Sequence, residues 1–144
     1  MTPFQTYDIR KLDGFAAVDD CRVVGIATYA IKGPRCEIVT INAFVQCRGV
    51  GTALVDAAMS TAIDGGCTRL TLFTTNDNLN AQRFYTRRWF RMATFYPDAM
   101  DAVRRIKPGV PATGAHGIPL RDMIEFDMDL KSGGAIRTDV YQAK

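Results

Sequence analysis

The residues best suited to bind an anion lie in the stretch Val45–Thr52, between an apolar segment and a helical pattern. Gly49 permits a positive φ, and Gly51 lets a ligand approach the backbone without meeting a Cβ atom. A helix that begins here adds unpaired N–H groups and its positive dipole end, and Arg48 adds a charge-assisted contact. This combination suits a pyrophosphate. Alternatively, the two glycines only shape a turn between a strand and a helix.

The elements around this stretch predict a βαβ unit. Residues Cys36–Phe44 form a strand, with Ile38, Thr40 and Asn42 expected on one face and Glu37, Val39, Ile41 and Ala43 on the other. A helix begins at Val50, carries an apolar stripe and ends at Gly65-Gly66. Residues Cys67–Thr74 form the next strand, which we expect to run parallel to the first. The glycines therefore lie at the carboxyl end of a strand, where ligands of open α/β sheets usually bind.

The remaining chain predicts further strands and helices. Residues Met1–Asp13 are an irregular arm. The predicted elements are a hairpin of Gly14–Val18 and Val23–Ile31, a helix from Leu79 to Arg88, a strand Met92–Tyr96, a short helix ending at Ile106, a loop Lys107–Gly117 that carries the only histidine, His116, and a last strand Met123–Leu130. Residues Lys131–Lys144 are a polar tail.

Composition excludes several classes of protein. A chain of 144 residues with 47% hydrophobic content fits one domain, expected over residues 1–130. The net charge of +3 is too small to indicate nucleic acid or a membrane surface as a partner. Four cysteines without CxxC spacing and a single histidine indicate free thiols and no metal site. No signal peptide or membrane-spanning run is present, so we expect a cytoplasmic location.

Two motifs resemble those of the GCN5-related N-acetyltransferase (GNAT) superfamily. The run Gln46-Cys47-Arg48-Gly49-Val50-Gly51 is similar to its acetyl-CoA pyrophosphate loop, and Asn80-Ala81 followed by Phe84-Tyr85 is similar to its later cofactor motif. The segments Thr74–Asn78, Lys107–Pro111 and Gly117–Asp122 further resemble a bacterial subgroup. The resemblance covers about residues 14–130. It implies a mixed α/β (α+β) fold, with a central twisted sheet of about six strands, a βαβ acetyl-CoA unit and flanking helices.

The chain departs from this superfamily at two places. It has only a short arm where the superfamily usually has a strand and one or two helices, which help to form the acceptor pocket. It should also leave apolar side chains of the hairpin exposed, including Phe15, Val23, Val24 and Ile26, so we expect a homodimer that covers them. Second, Trp89 stands where the superfamily commonly has glycine. Tryptophan in a left-handed cap would cost about 1 kcal/mol or more, so we expect the helix to end differently.

The resemblance implies roles for individual residues. Tyr85 would protonate the departing thiolate, and Glu37 would act as the base, directly or through water. The implied cofactor-binding residues, which contact acetyl-CoA through backbone or side chain, are Ile41, Ala43, Gln46, Cys47, Arg48, Gly49, Val50, Gly51, Thr52, Asn80 and Phe84. Alternatives remain for three side chains: Glu37 as an exposed strand carboxylate, Tyr85 as a core residue and Asn80 as a helix cap.

The predicted function is therefore N-acetyl transfer from acetyl-CoA, as co-substrate, to a primary amine of a small molecule or protein, by direct transfer. The alternative is an acyl-CoA-binding module with little or no turnover. A nucleotide-binding regulator is disfavoured because the sequence has no GxxxxGK[ST] and no GxGxxG motif.

Overall fold

The computed structural model describes Tyr7, residues 9–44 and residues 49–131. After a 3-10 turn (Ile9–Lys11), the elements are β1 (Asp13–Asp19), β2 (Arg22–Lys32), β3 (Arg35–Ala43), α1 (Val50–Asp64), β4 (Arg69–Thr75), α2 (Leu79–Arg87), β5 (Arg91–Tyr96), α3 (Ala99–Ile106), a second 3-10 turn (Ala115–Gly117) and β6 (Met123–Asp129). The strands form one mixed sheet in the order β1-β2-β3-β4-β6-β5. The predicted fold class is confirmed.

The described residues group into two compact units. The first unit comprises Tyr7–Thr71 with residues 129–131, and the second comprises Leu72–Met128. The expectation of a single domain over residues 1–130 stays a prediction. Apart from Lys131, the predicted tail lies outside the described residues, as does most of the predicted arm. Among the described helices, none is both long enough and apolar enough to cross a membrane.

The first unit is built on an antiparallel hairpin that continues into the βαβ segment. Asp20 and Cys21 both have positive φ in the turn between β1 and β2, as a tight two-residue hairpin turn requires. β3 pairs with β2 antiparallel and with β4 parallel. The core between this sheet and α1 contains Ala27, Val50 and Leu54, against which Phe15, Ala17, Val24, Ile41 and Ala43 pack.

A β-bulge at Val39 corrects the predicted faces of β3. Thr28 pairs with Thr40, but the next residue of β2, Tyr29, pairs with Ile38, which leaves Val39 as the extra residue. Strict alternation therefore fails within β3. Ile38 lies on the face that packs against α1, together with Ile41 and Ala43, whereas Glu37 lies on the opposite face with Thr40.

The face opposite α1 exposes apolar side chains of the hairpin. Val18 is 62% exposed, Val23 53% and Ile26 37%. Exposure was expected for Val23 and Ile26. Phe15 and Val24, also expected to be exposed, are instead half-buried, because they pack against the α1 core.

The second unit holds α2, β5, α3, β6 and a long loop between α3 and β6. Its core contains Ala99, Met100 and Met123, with Phe73, Tyr96, Val103, Val110 and Leu120 packed around them. β6 is buried from Met123 to Met128, and β5 is the exposed edge strand beside it. α3 ends at Ile106, as predicted, and Pro97 and Asp98 precede its first residue.

The loop of residues 107–122 is held in part by the side chains of Asn76 and Asp77. The Asn76 side-chain NH₂ group donates to the Pro119 carbonyl (2.8 Å), and its oxygen accepts from the backbone N–H groups of Arg121 (3.0 Å) and Asp122 (2.9 Å). The carboxylate of Asp77, which is buried, accepts from the Ala115 N–H (2.8 Å).

Candidate active site

The residue that caps the start of α1 has the backbone conformation that the sequence predicts. Gly49 is the N-cap with φ of 71°, in the left-handed region, as the sequence predicts. The first intrahelical hydrogen bond runs from the Ala53 N–H to the Gly49 carbonyl (3.0 Å). The N–H groups of Val50 and Gly51 lie in the first turn of α1, ahead of that first donor. The first turn, described throughout, carries no acidic side chain. Gln46, Cys47 and Arg48 lie outside the described residues.

The end of β3 leads into this helix start. Ile41 and Ala43 pack on the α1 core, which fixes the distance between the strand and the helix. The residue pairs that join β3 to β4 run from Arg35–Arg69 to Glu37–Thr71. Ile41 and Ala43 lie farther along β3 than the last of these pairs. Beside the first turn of α1 lies a cleft of about 520 Å³, lined by both ends of the β1–β2 turn.

Glu37 is half-buried on the face of β3 that is opposite α1. Its carboxylate oxygen Oε1 accepts a hydrogen bond from the Tyr7 phenol at 3.3 Å. Its neighbours on the adjacent strands are Ala30 and Thr71, neither of which is ionisable. Glu37 is therefore not the fully exposed strand carboxylate that was the alternative. Tyr7 was not predicted, because a single tyrosine in a polar arm gives no periodic signal.

In the second unit, α2 carries the other predicted residues. Asn78 is the N-cap and accepts from the Ala81 N–H (3.1 Å). Asn80 is exposed in the first turn of α2, so the alternative that it caps the helix is wrong. Phe84 is half-buried, and its ring lies 5.4 Å from that of Tyr85 and 5.1 Å from the Arg88 guanidinium carbon.

Tyr85 lies in a cluster of aromatic rings in the second unit. It is 6% exposed, and its ring packs against Phe84, Phe90 and Phe126. Burial raises the pKa of the Tyr85 phenol to about 12. The phenol therefore stays protonated at neutral pH and can act only as a donor or a neutral acceptor there.

The end of α2 corrects the expectation for Trp89. Trp89 has a φ of 74°. Its N–H donates to the Thr86 carbonyl (3.2 Å), and the Phe90 N–H donates to the Tyr85 carbonyl (3.1 Å). These two bonds form a Schellman motif, with the accompanying apolar contact between Phe90 and Tyr85. Trp89 thus occupies the left-handed position, because the bonds and the Phe90 contact outweigh its backbone cost.

The structure brings the predicted residues together as two groups. Gly49, Val50, Gly51 and Thr52 follow Ile41 and Ala43 in the first unit. Asn80, Phe84 and Tyr85 share one helix in the second unit. The described cysteines, Cys21, Cys36 and Cys67, are free thiols. Asn76 and Asp77, which lie in the segment Thr74–Asn78 of the resemblance, hold the loop that follows α3.

Comparison of the sequence with known proteins identifies a family and a relative. The profile of the Acetyltransferase (GNAT) family matches residues 2–90. The chain is 41% identical to Uncharacterized protein YdhI of Bacillus subtilis (strain 168) over 117 residues, which are 81% of this chain and 73% of YdhI.

Two solved structures share the fold. A Bacillus subtilis acetyltransferase in complex with CoA superposes with a TM-score of 0.72 and 22% identity, over 85% of this chain and 79% of that one. A GNAT family acetyltransferase from Elizabethkingia anophelis with acetyl-CoA bound superposes with a TM-score of 0.70 and 20% identity, over 80% of this chain and 74% of that one.

Proposed function

Because the chain belongs to the acetyltransferase (GNAT) family, we propose that it is an N-acetyltransferase that moves an acetyl group from acetyl-CoA to a primary amine of a small molecule or protein. One observation carries the proposal. Gly49 adopts a left-handed conformation at the start of α1, where the sequence motif predicts the pyrophosphate loop. The two superposed acetyltransferases with CoA or acetyl-CoA bound support this choice of co-substrate.

The pyrophosphate would be held by backbone groups rather than by one side chain. The N–H groups of Val50, Gly51 and Thr52 would bind it at the positive end of a 15-residue helix. Arg48, Gln46 and Cys47 would complete the loop by their side chains or backbone. Because Gly51 has no Cβ atom, the phosphate oxygens can approach the helix backbone closely.

The pantetheine arm would pair with the backbone of β3 near Ile41 and Ala43, as an added strand pairs with a sheet edge. This position along β3 lies beyond the pairs that join β3 to β4. Asn80 and Phe84 would contact the arm from α2. Asn80 is exposed and Phe84 half-buried, so both can reach a ligand.

Glu37 and Tyr85 would carry the proton transfers. Glu37 would accept the proton of the attacking amine, directly or through water, as the C–N bond forms. The C–S bond then breaks with its electron pair on sulfur, and Tyr85 donates its phenolic proton or a strong hydrogen bond to that sulfur. A solvent proton restores the phenol afterwards. Direct transfer needs no acetylated side chain.

A single substitution tests the cofactor site. Gly51→Asp places a side chain and a negative charge where the phosphates would bind, so we expect binding of CoA to be lost while the chain stays folded. Calorimetry with CoA measures this. Ser60→Asp, which adds the same charge at an exposed position of α1, is the matched control and should bind CoA normally. Unchanged affinity in a folded Gly51→Asp variant would overturn the assignment.

The rival function is an acyl-CoA-binding module with little turnover. One observation favours it: Tyr85 is packed among three phenylalanine rings, as a core tyrosine would be. A screen of primary amines with acetyl-CoA, followed by free thiol release, separates the two functions. Tight CoA binding without thiol release for any amine would favour the binding module.

We also propose a homodimer and a cytoplasmic location. The exposed Val18, Val23 and Ile26 form an apolar surface that a second copy would cover, and a stable interface should bury more than about 1,000 Å² in total. The free thiols of Cys36 and Cys67 support a reducing compartment. Sedimentation at micromolar concentration tests the dimer, and a single monomeric species would contradict it.

A further inference from the structure

A phenol lies against the proposed base. Tyr7 and Glu37 are 30 residues apart in sequence, yet the Tyr7 hydroxyl donates to Glu37 Oε1 at 3.3 Å. Both side chains are half-buried in the first unit. The distance is long for an O–H···O hydrogen bond, and such bonds at catalytic groups commonly shorten only when substrate is bound.

We propose that Tyr7 is a positioning residue that orients the Glu37 carboxylate toward the acceptor amine and keeps it ionised. The proposal rests on the proposed function, because it assigns a role to Glu37 in amine deprotonation. Tyr7 itself transfers no proton in this scheme. Its hydroxyl acts only through Glu37.

The chemistry of the pair supports this role. A carboxylate has about four lone-pair positions, so one bond from Tyr7 leaves the others for the amine or for a bridging water. A donor to the charged form favours the carboxylate over the carboxylic acid. Fixing the rotamer of Glu37 also reduces the entropy lost when the reacting groups are aligned.

Tyr7 donates to Glu37 within a group of ionisable residues. These include Arg35, two residues earlier on β3, Lys32, paired with Arg35 on β2, and the buried Cys36 thiol. Burial and the Glu37 charge raise the pKa of Tyr7, while Arg35 opposes the shift. Tyr7 therefore remains a protonated donor at working pH.

The test compares Tyr7→Phe with the unmodified protein in pH–rate profiles of acetyl transfer to an amine found in the thiol-release screen. We expect turnover to fall about three- to tenfold at neutral pH, with KM for acetyl-CoA unchanged. The ascending limb should move to higher pH by about half a unit to one unit, because the protonated form of Glu37 is no longer disfavoured.

Tyr29→Phe is the matched control. Tyr29 lies on the α1 face of the same sheet, where its ring stacks on Phe15 at 5.1 Å, so its phenol should not affect the profile. A second variant, Glu37→Gln, and the double variant complete the cycle. Tyr7→Phe should have no further effect once Glu37 is absent.

The outcomes separate this inference from the proposed function. A Tyr7→Phe profile with an unmoved ascending limb would overturn the positioning role, even if stability falls. Full activity in Glu37→Gln would overturn the base assignment and this inference together. Absence of CoA binding and of any thiol release would instead contradict the proposed function itself.

Discussion

The Tyr85 side chain is buried and its phenol has a pKa near 12, and these two properties set what it can do. An ordinary thiol has a pKa of about 8.5, so complete proton transfer from this phenol to a thiolate is uphill. Donation of a hydrogen bond to the developing negative charge on sulfur does not require that uphill transfer. We therefore place the contribution of Tyr85 at the low end of the range for general acid catalysis.

Tyr85→Phe should lower turnover by about 10²-fold and leave CoA affinity nearly unchanged. Below pH 10 the pH–rate profile of the variant should keep the same ionisations as that of the unmodified protein, because a phenol with a pKa near 12 does not titrate there. Steady-state kinetics from pH 6 to about 10 with a urea unfolding curve check this. Tyr96→Phe, a tyrosine of the same unit that donates to Glu125, serves as the control. Full activity would mean that Tyr85 is structural.

Residue roles were predictable only where a motif marks them. Gly49 was identified because glycine at a strand-to-helix turn implies a positive φ, and the structure confirms that φ. Asn78 and Asn80 have the same side chain two positions apart, and the structure shows that Asn78 caps α2. Tyr7 could not be found, because its contact spans 30 residues and no pattern links the two positions.

Helices α1 and α2 end with the same hydrogen-bond pattern but with different residues. In α1 the left-handed position is Gly66, with φ of 80°, whereas in α2 it is Trp89. Glycine adopts this conformation with little increase in free energy, whereas for a residue with a Cβ atom the free energy is higher by roughly 1–2 kcal/mol. Trp89 therefore carries backbone strain at the end of α2. The two hydrogen bonds of this cap are accepted by the carbonyls of Tyr85 and Thr86.

Two variants isolate that strain. Trp89→Gly and Trp89→Ala both remove the indole, but only alanine keeps a Cβ atom in the left-handed conformation. Trp89→Gly should therefore be more stable than Trp89→Ala by about 1 kcal/mol. Urea denaturation of the two proteins measures the difference. Equal stabilities would show that the cap relaxes in the variants and holds no strain.

Most element limits followed from hydrophobic periodicity and from turn residues. The bulge at Val39 did not, because alternation of apolar and polar residues does not reveal which residue is extra. A loop was predicted over Lys107–Gly117, but the contacts that order residues 107–122 were not. Its proline and glycine content indicates a loop, but the bonds that order it come from Asn76 and Asp77, far away in sequence.

At the scale of the whole molecule, two buried groups make stability depend on alkaline pH. Cys36 has no exposed surface, and burial, with smaller contributions from Cys67 and Glu37, raises its pKa from 9.0 to about 11. Tyr85 is raised from 10.0 to about 12. Both groups ionise more easily in the unfolded chain. Their contributions are therefore fully present below pH 9 and pH 10, respectively, and are lost as pH rises through the folded values.

The free energy of unfolding should fall between pH 9 and about 11 by on the order of 2 kcal/mol from Cys36. Urea unfolding at a series of pH values measures the slope. Cys36→Ala should flatten the slope in this window, whereas Cys21→Ala, at an exposed thiol, should not. The same slope in all three proteins would show that the Cys36 thiol does not control alkaline stability.

The Asn76 side chain also constrains the order in which the chain can fold. Its three hydrogen bonds reach residues 43 to 46 positions later in the sequence. Closing so long a segment costs entropy before any of those bonds is formed. During synthesis the Asn76 amide therefore stays hydrated until the ribosome has released Asp122, and the turn after β4 reaches its final form only after α2, β5 and α3 have been made.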